Sequence, residues 1–297
     1  NNGYAVVEFK KGIYCVKYID NLYEEKILLK YGVRTLAGDI NPNYPILSWD
    51  GKGSRLLVIY SKEGKLNMFV YDAIANIKRF QQPIEGIDQV VSAGFMLDAN
   101  TLLMSAVKNG HSDIFIYKID NGKFKQVTND VYDDLDPTFV SFPNRTGIIF
   151  ASNRPGINAV NADTVLPSRN HFNIYLVDLF NNSDFKQISQ LTNVKYGNAR
   201  YPMQYNQNHY TYVSDENGIA NRWAGFFSTK RDGIDTLYYI GDDVLHNATG
   251  KEIDSTLNAW QKPQPDSVSY FSVYQDSTYT FPITNYQSSL LESKVAG

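Results

Sequence analysis

The stretch DIFIYKIDNGKFKQVTND, residues 113–130, decides the fold class. Apolar and polar residues alternate through DIFIYKI, an Asn-Gly pair follows, and a second apolar-polar run ends at Thr-Asn-Asp. Alternation with a period of two is typical of β-strands, and Asn-Gly is a strong signal for a tight hairpin turn. The stretch therefore predicts two antiparallel strands joined by a turn.

The same pattern recurs on both sides of this hairpin. LNMFVYDAIANIKRF (66–80) precedes it, and FNIYLVDLFNNSDFKQISQLTN (172–193) follows it and ends on a similar Thr-Asn motif. A second pattern, an aromatic residue followed by a polar turn and an apolar run, alternates with the first in phase. It occurs at 48–61, 94–107, 141–153 and 204–215. Together the two patterns predict a repeating unit of four strands and ~45–50 residues.

Repeated units of four short antiparallel strands predict an all-β fold, a β-propeller with four-stranded antiparallel blades. No segment holds an apolar period of 3.6 residues for three turns, and the 14% aromatic content favours strands. We expect about six blades, with five blades or an incomplete ring as alternatives. A two-layer sandwich would not explain why the two patterns alternate in phase.

The whole chain, 1–297, is predicted to form a single β-propeller domain. A blade shared between the two termini would close the ring and remove free sheet edges. Residues 155–172 fall outside the repeat and are expected to form an inserted loop. The approximate blades are 1–40 (partial), 41–88, 89–136, 137–198, 199–260 and 261–297 (partial).

Composition argues against several classes of function. The 28 basic and 31 acidic residues give a net charge of −3 without a basic stripe, so no nucleic-acid partner is expected. The chain contains no run of 18 apolar residues, so no transmembrane helix is predicted. The opening NNGYAVVEFKKG does not resemble a signal peptide. Cys15 is the only cysteine, which excludes an internal disulfide and a cysteine-based zinc site. We predict no cofactor and no metal.

Few residues suggest catalysis. His111, Ser112 and Asp113 are adjacent, but neighbours on a strand point to opposite faces and a catalytic triad must converge. NGHSD is therefore expected to be a hairpin turn with Gly110 at positive φ. The histidines are not in register between units, so a metal cage is not expected.

Two acidic stretches are interpreted as turns. In DVYDDLDP (130–137), Asp136 before Pro137 is expected to cap the turn into the next blade, with the remaining carboxylates solvated. Asp215, Glu216 and Asn217 before Gly218 are expected to form a tight turn. The spacing of Asp130, Asp134 and Asp136 is irregular and no Gly follows, so a calcium-binding loop is not expected there.

The repeat resembles that of TolB-type, WD40-like propellers. The segments that carry this resemblance are YPILSWDGKGSRLLVIYSKEG (44–64), QVTNDVYDDLDPTFVSFPNRTGIIFASNRPG (126–156) and QLTNVKYGNARYPMQYNQNHYTYVSDENG (190–218). SDENGIANRW and FPITNYQSSLLES also resemble parts of longer bacterial envelope-associated TolB-like proteins, which implies that this chain is the propeller part of such a protein. The proline of the family's Ser-Pro-Asp-Gly turn is absent throughout.

The resemblance implies a non-catalytic protein-interaction scaffold in the bacterial cell envelope, periplasmic or envelope-associated, with an envelope or secretion protein as partner. One alternative is the propeller portion of an enzyme, either the gating domain of a serine peptidase or a propeller lyase. The other is a carbohydrate-binding propeller, for which exposed Trp223 or Trp260 would be the marker. We predict partner contacts on the propeller face or funnel, at Arg154, Asn158, Asp163, Arg169, His171, Arg222 and Trp223. At its repeat position, Arg154 is also expected to bridge blades through a carbonyl or an Asp.

Overall fold

The computed structural model describes residues 3–10, 13–32, 44–143, 145–155, 171–179 and 188–291. Its strands form a series of antiparallel sheets in which strands pair with their sequence neighbours, except for the last strand of the chain. The first sheet has three strands: β1 (Tyr4–Lys10), β2 (Ile13–Ile19) and β3 (Glu25–Gly32). The second has four: β4 (Ile46–Trp49), β5 (Arg55–Lys62), β6 (Lys65–Asp72) and β7 (Ile77–Pro83).

The third and fourth sheets repeat this four-stranded plan. The third contains β8 (Gln89–Phe95), β9 (Thr101–Lys108), β10 (His111–Lys118) and β11 (Phe124–Gln126). The fourth contains β12 (Asp134–Phe142), β13 (Arg145–Ser152), β14 (Asn173–Asp178) and β15 (Ile188–Gln190). Residues 113–130 thus supply most of β10 and all of β11, which pair with each other as predicted.

The fifth sheet has additional strands. It contains β16 (Ala199–Gln204), β17 (His209–Ser214), β18 (Asn221–Ile240), β19 (Asp243–His246) and β20 (Ser267–Pro282), and β20 pairs with β18. The described strands of the N-terminal segment pair only with one another, so β20 does not complete the first sheet. A blade count of six remains a prediction.

Two compact units can be distinguished along the chain. The larger comprises residues 1–224 and 280–297, and the smaller comprises residues 225–279. The smaller unit holds most of β18, all of β19, most of β20 and one helix, α1 (Gly250–Ala259). No helix in the described part of the chain is long and apolar enough to cross a membrane.

The core of the larger unit explains why its central strands are apolar on both faces. Leu56 and Val58 of β5 pack into a cluster with Val16 of the first sheet. The alternate residues Leu57 and Ile59 pack into a second cluster with residues of the third sheet. Because successive side chains of a strand point to opposite faces, each such sheet buries both faces between its neighbours. This is the packing of propeller blades.

The same alternation continues into the third sheet. Leu102 and Met104 of β9 belong to the cluster shared with the second sheet, while Leu103 packs with Ile148 and Phe150 of the fourth sheet. The first sheet differs, because its face away from the second carries Lys17, paired with Glu8 at 3.1 Å and Glu25 at 2.8 Å. Among the described residues, no other sheet covers that face.

Helix α1 was not predicted by the sequence, which indicated strands throughout. None of its residues is fully buried, and its only large apolar residues, Ile253 and Leu257, form a single half-buried i, i+4 pair that is too short a pattern to recognise. Its N-terminus carries a capping box, in which Glu252 Oε2 accepts hydrogen bonds from the backbone N–H and hydroxyl of Thr249. This local hydrogen bonding, rather than burial, defines the start of the helix.

Candidate functional site

A cleft of about 360 Å³ opens on the larger unit, between side chains within residues 217–223 and those of residues 282–286. One wall begins at the tight turn that ends in Gly218, whose backbone N–H donates to the Asp215 carbonyl at 2.7 Å. Gly218 has φ of 85°, a conformation that glycine adopts without strain, so the predicted turn is confirmed. We call this feature the Trp223 cleft.

Asn221 fixes the second wall of the cleft against the first. Its Oδ1 accepts hydrogen bonds from the Tyr286 backbone N–H at 2.7 Å and from the Thr284 hydroxyl at 3.0 Å. The backbone of Arg222 adds two contacts, since its N–H donates to Thr284 Oγ1 and its carbonyl accepts from Ile283. The segment that follows β20 is therefore held in place along β18 by hydrogen bonds.

The cleft combines apolar and carboxamide side chains. Trp223 is half-buried and stacks on Tyr212, with ring centroids 6.5 Å apart and an interplanar angle of 23°. Ile283 and Tyr286 are 47% and 52% exposed. Among the residues that the structure describes, none with a carboxylate, ammonium, guanidinium or imidazole group lines the cleft. Chemically, it can bury apolar surface and form neutral hydrogen bonds.

The predicted contact residues are distributed over several places. Trp223 lies in the cleft, and Arg222 precedes it on β18 without lining it. His171 directs Nδ1 toward the Gly197 carbonyl at 2.8 Å, which ties two loops of the larger unit together. Asn158, Asp163 and Arg169 lie outside the described residues, as does most of the 155–172 loop.

Arg154 lies inside the junction between the third and fourth sheets. Its Nη2 donates to both oxygens of Asp134 at 2.9 Å and to Asp130 Oδ2 at 3.1 Å, and its side chain is only 10% exposed. Arg154 thus pairs with aspartates, and through Asp130 it ties the connection from β11 to β12 to the fourth sheet. Among the described residues, its side chain makes no hydrogen bond to a strand of the third sheet, so the bridging of blades stays a prediction. The guanidinium also lies over the rings of Tyr132 and Phe150, 5.7 and 5.4 Å from their centroids.

The acidic stretch 130–137 differs from the expectation of solvated carboxylates. Asp134 is fully buried, and its carboxylate is paired with Arg154. Asp133 accepts a hydrogen bond from the Ser112 backbone N–H. The prediction that Asp136 caps a turn was wrong: Asp136 lies within β12, and among the described residues no neighbouring backbone group donates to its carboxylate. It accepts hydrogen bonds from Arg200 Nε at 2.6 Å and Nη2 at 3.2 Å, and so ties the fourth sheet to the fifth.

Asp113 completes a cluster of carboxylates with Asp130 and Asp134, whose oxygens lie within 4.8 Å of one another. Burial, followed by the charge of Asp130, raises the pKa of Asp113 to about 6. Burial also raises the pKa of Asp134 to about 6, against the opposing charge of Arg154. Such a cluster can bind cations, but here the guanidinium of Arg154 already supplies positive charge to two of the three carboxylates.

His111, Ser112 and Asp113 do not form a triad. They are consecutive residues of β10 after the turn at Asn109 and Gly110, and Gly110 has φ of 92° as predicted. Asp113 faces the buried junction, where it accepts a hydrogen bond from Gln126 Nε2 at 2.9 Å, while His111 is exposed. Ser112 points to the opposite face of β10 from His111 and Asp113, so the three side chains do not converge on one site.

Neither a protein-family model nor a curated protein matches the sequence. Among solved structures, TolB from Acinetobacter baumannii superposes with a TM-score of 0.51 at 16% identity, over 75% of this chain and 49% of that one. A putative TolB from Agrobacterium tumefaciens gives 0.35 at 14% identity, covering 61% of this chain and 62% of that one. An oligogalacturonate lyase in complex with manganese gives 0.45 at 11% identity, covering 74% and 58%.

The chain thus spans about half the length of the Acinetobacter TolB structure. At this level of identity the likeness concerns the fold, and propellers serve both binding and catalysis. The sequential four-stranded sheets, the burial of both faces of the central sheets and the superposition agree with one another. The chain has the fold of a TolB-like β-propeller.

Proposed function

We propose that the chain is a non-catalytic protein-interaction scaffold of the bacterial cell envelope, in the periplasm or associated with the envelope. Its partner is a protein or peptide that docks at the Trp223 cleft. The observation that carries this proposal is the composition of that cleft, where Trp223, Ile283 and Tyr286 present apolar surface beside carboxamides. Aromatic anchors of this kind contribute strongly to protein interfaces.

The other predicted contacts belong to the same proposal in different ways. Arg222 adjoins the cleft, and the inserted loop 155–172, with Asn158, Asp163 and Arg169, is proposed as a second contact region. Arg154 and His171 support the surface from within, since their side chains hold the junctions between loops and sheets. An envelope or secretion protein is the proposed class of partner.

Site-specific photo-crosslinking in bacterial cells tests the proposal. A photoreactive residue at Asn285 in the cleft is expected to yield one discrete protein adduct, which disappears when Tyr286 is also changed to Ala. The same residue at the exposed Leu22, in the turn between β2 and β3, serves as the control and should yield none. Absence of any adduct from Asn285, or turnover by the purified chain on esterase, peptidase and uronide-lyase substrates, would contradict the scaffold function.

A further inference from the structure

We infer that the free edge of β1 accepts a β-strand from a second polypeptide, in the place that β4 holds in the second sheet. This edge shares no residue with the Trp223 cleft and binds its partner independently of that cleft. Three observations support the inference: the absence of one strand from the first sheet, the incomplete burial of β1, and the regularity of its edge.

Two contacts show which strand the first sheet lacks. Near the start of β3, Lys26 Nζ donates to the Asn76 carbonyl at 2.9 Å, in the turn between β6 and β7. Near the end of β3, the Tyr31 hydroxyl accepts from the Glu63 backbone N–H at 3.0 Å, in the turn between β5 and β6. β3 therefore runs in the same direction as β7 and matches it as the outer strand. This places β1 in the position of β5, and no described strand of the first sheet corresponds to β4.

The missing strand leaves β1 incompletely buried. In its counterparts β5 and β9, the runs 56–59 and 101–106 are buried throughout. By contrast, none of residues 4–9 is fully buried, and Tyr4 and Phe9 are 46% and 66% exposed. An added strand would cover part of this apolar surface, and removing it from water favours binding.

The edge of β1 lacks the bulges, prolines and short length that commonly protect strand edges. β1 has seven residues, YAVVEFK, and pairs with β2 in an unbroken register. The outer edges of the first four sheets differ, because β3 and β7 pair through bulges and β11 and β15 have three residues each. Every second residue of β1 directs its N–H and C=O away from β2. Another extended backbone presents matching groups at the same spacing, whereas a saccharide has no such repeat.

The two faces of β1 specify the side chains of the added strand. Ala5 and Val7 pack against the cluster shared with the second sheet, so the residues beside them should be apolar. Val6 and Glu8 lie on the opposite face, where Glu8 is 53% exposed and pairs with Lys17 at 3.1 Å. A basic residue suits the position beside Glu8. Each of the described strands β4–β20 pairs within its own sheet, so the occupant is a segment of a partner polypeptide.

Hydrogen exchange on the full chain tests the inference with a synthetic peptide. The probe is an acetylated and amidated hexapeptide in which Val alternates with Thr or Lys. At saturation it should slow amide exchange within residues 4–10 about tenfold or more, and leave the edges of β11 and β15 unchanged. Two N-methylated versions are the matched controls, since methyl groups on alternate residues block only one edge of the peptide. One version should bind and the other should not.

Proline substitutions test the same edge from the side of the protein. Of the neighbours Val6 and Val7, one directs its N–H to β2 and the other directs it to the free edge. Proline is tolerated where the N–H is free, so one of Val6→Pro and Val7→Pro should keep the circular dichroism of the unmodified chain. That variant should bind the peptide about tenfold more weakly.

Several results would overturn the inference. Equal binding of both N-methylated peptides would mean that the backbone of the added strand is not recognised, and unchanged exchange in β1 would mean that its edge accepts no strand. Full protection of β1 without peptide would show that the edge is already covered, by the chain itself in a monomer or by a second copy in a dimer, as light scattering distinguishes. None of these results affects the Trp223 cleft, which is tested separately by crosslinking at Asn285.

Discussion

Asp113 occupies in the third sheet the place that Asn173 occupies in the fourth. In each sheet a threonine hydroxyl accepts the N–H of the next residue: Thr128 binds Ile114 at 3.0 Å, and Thr192 binds Ile174 at 2.8 Å. The same hydroxyls contact Asp113 at 3.3 Å and Asn173 at 3.0 Å. The repeated Thr-Asn motif of the sequence is thus a hydrogen-bonded link between the third and fourth strands of a blade.

The substitution Asp113→Asn should therefore preserve the geometry and remove a buried charge. The folded-state pKa of about 6 lies above the ordinary value of 3.8, so the protonated form contributes stability below about pH 4 that is lost as pH rises through 6. At pH 7 the ionised carboxylate is destabilising, and the variant should gain about 1–3 kcal/mol.

Chemical denaturation at pH 5 and pH 7 measures this effect. The unmodified chain should be more stable at pH 5, and Asp113→Asn should lose much of that difference, with Asp134 accounting for the remainder because its pKa is also raised. Equal stability of the unmodified chain at both values, or a variant that is less stable at pH 7, would show that Asp113 is well compensated when ionised.

Thr192 offers a test of the linking motif itself. The side chain is buried, and its hydroxyl both accepts from the Ile174 N–H and donates to Asn173 Oδ1. Thr192→Val keeps the shape of the side chain but leaves the Ile174 N–H and Asn173 Oδ1 without the hydroxyl as a partner. This change should lower the free energy of unfolding by about 1–3 kcal/mol. Thr192→Ser retains the hydroxyl and should recover most of the loss. Similar denaturation midpoints for the Val and Ser variants would exclude this role.

Much of the fold could be predicted because propeller blades are local. Each sheet is formed by consecutive strands, so the alternation of apolar residues and the Asn-Gly turn sufficed to identify β10 and β11. Helix α1 was missed since it buries no residue, although Thr249 and Glu252 spell a capping box in the sequence. The burial of Asp134 was also missed, because nothing in the spacing of DVYDDLDP indicates which carboxylate meets Arg154.

The candidate site was predicted less well than the fold. Trp223 was identified from residue type alone, but its neighbours Ile283 and Tyr286 lie about 60 residues later in the chain. Their proximity depends on hydrogen bonds from the backbone of the later segment to Asn221 and Arg222. Such contacts between distant, irregular segments have no periodic signal in a single sequence.

Arg154 should be more important for stability than its position near a surface loop suggests. Arg154→Ala removes the partner of Asp134, which is fully buried, and should cost about 3–5 kcal/mol at pH 8. The loss should be smaller at pH 5, where Asp134 can take up a proton. The double variant Arg154→Ala/Asp134→Asn should be more stable than Arg154→Ala at pH 8, as measured by urea denaturation. No such rescue would indicate that packing against the aromatic rings dominates.

The pair formed by Asp136 and Arg200 links the fourth and fifth sheets across 64 residues of sequence. Arg200 also lies over the rings of Phe172 and Tyr201, each 5.2 Å from the guanidinium carbon. Arg200→Lys should restore little of the stability lost in Arg200→Ala, because a lysine cannot donate two parallel hydrogen bonds or stack in this way. A double-mutant cycle with Asp136→Asn should give a coupling of about 1–3 kcal/mol. Asn suits position 136, where φ is 53°, better than Ala. A coupling near zero would mean that Arg200 acts through its aromatic contacts alone.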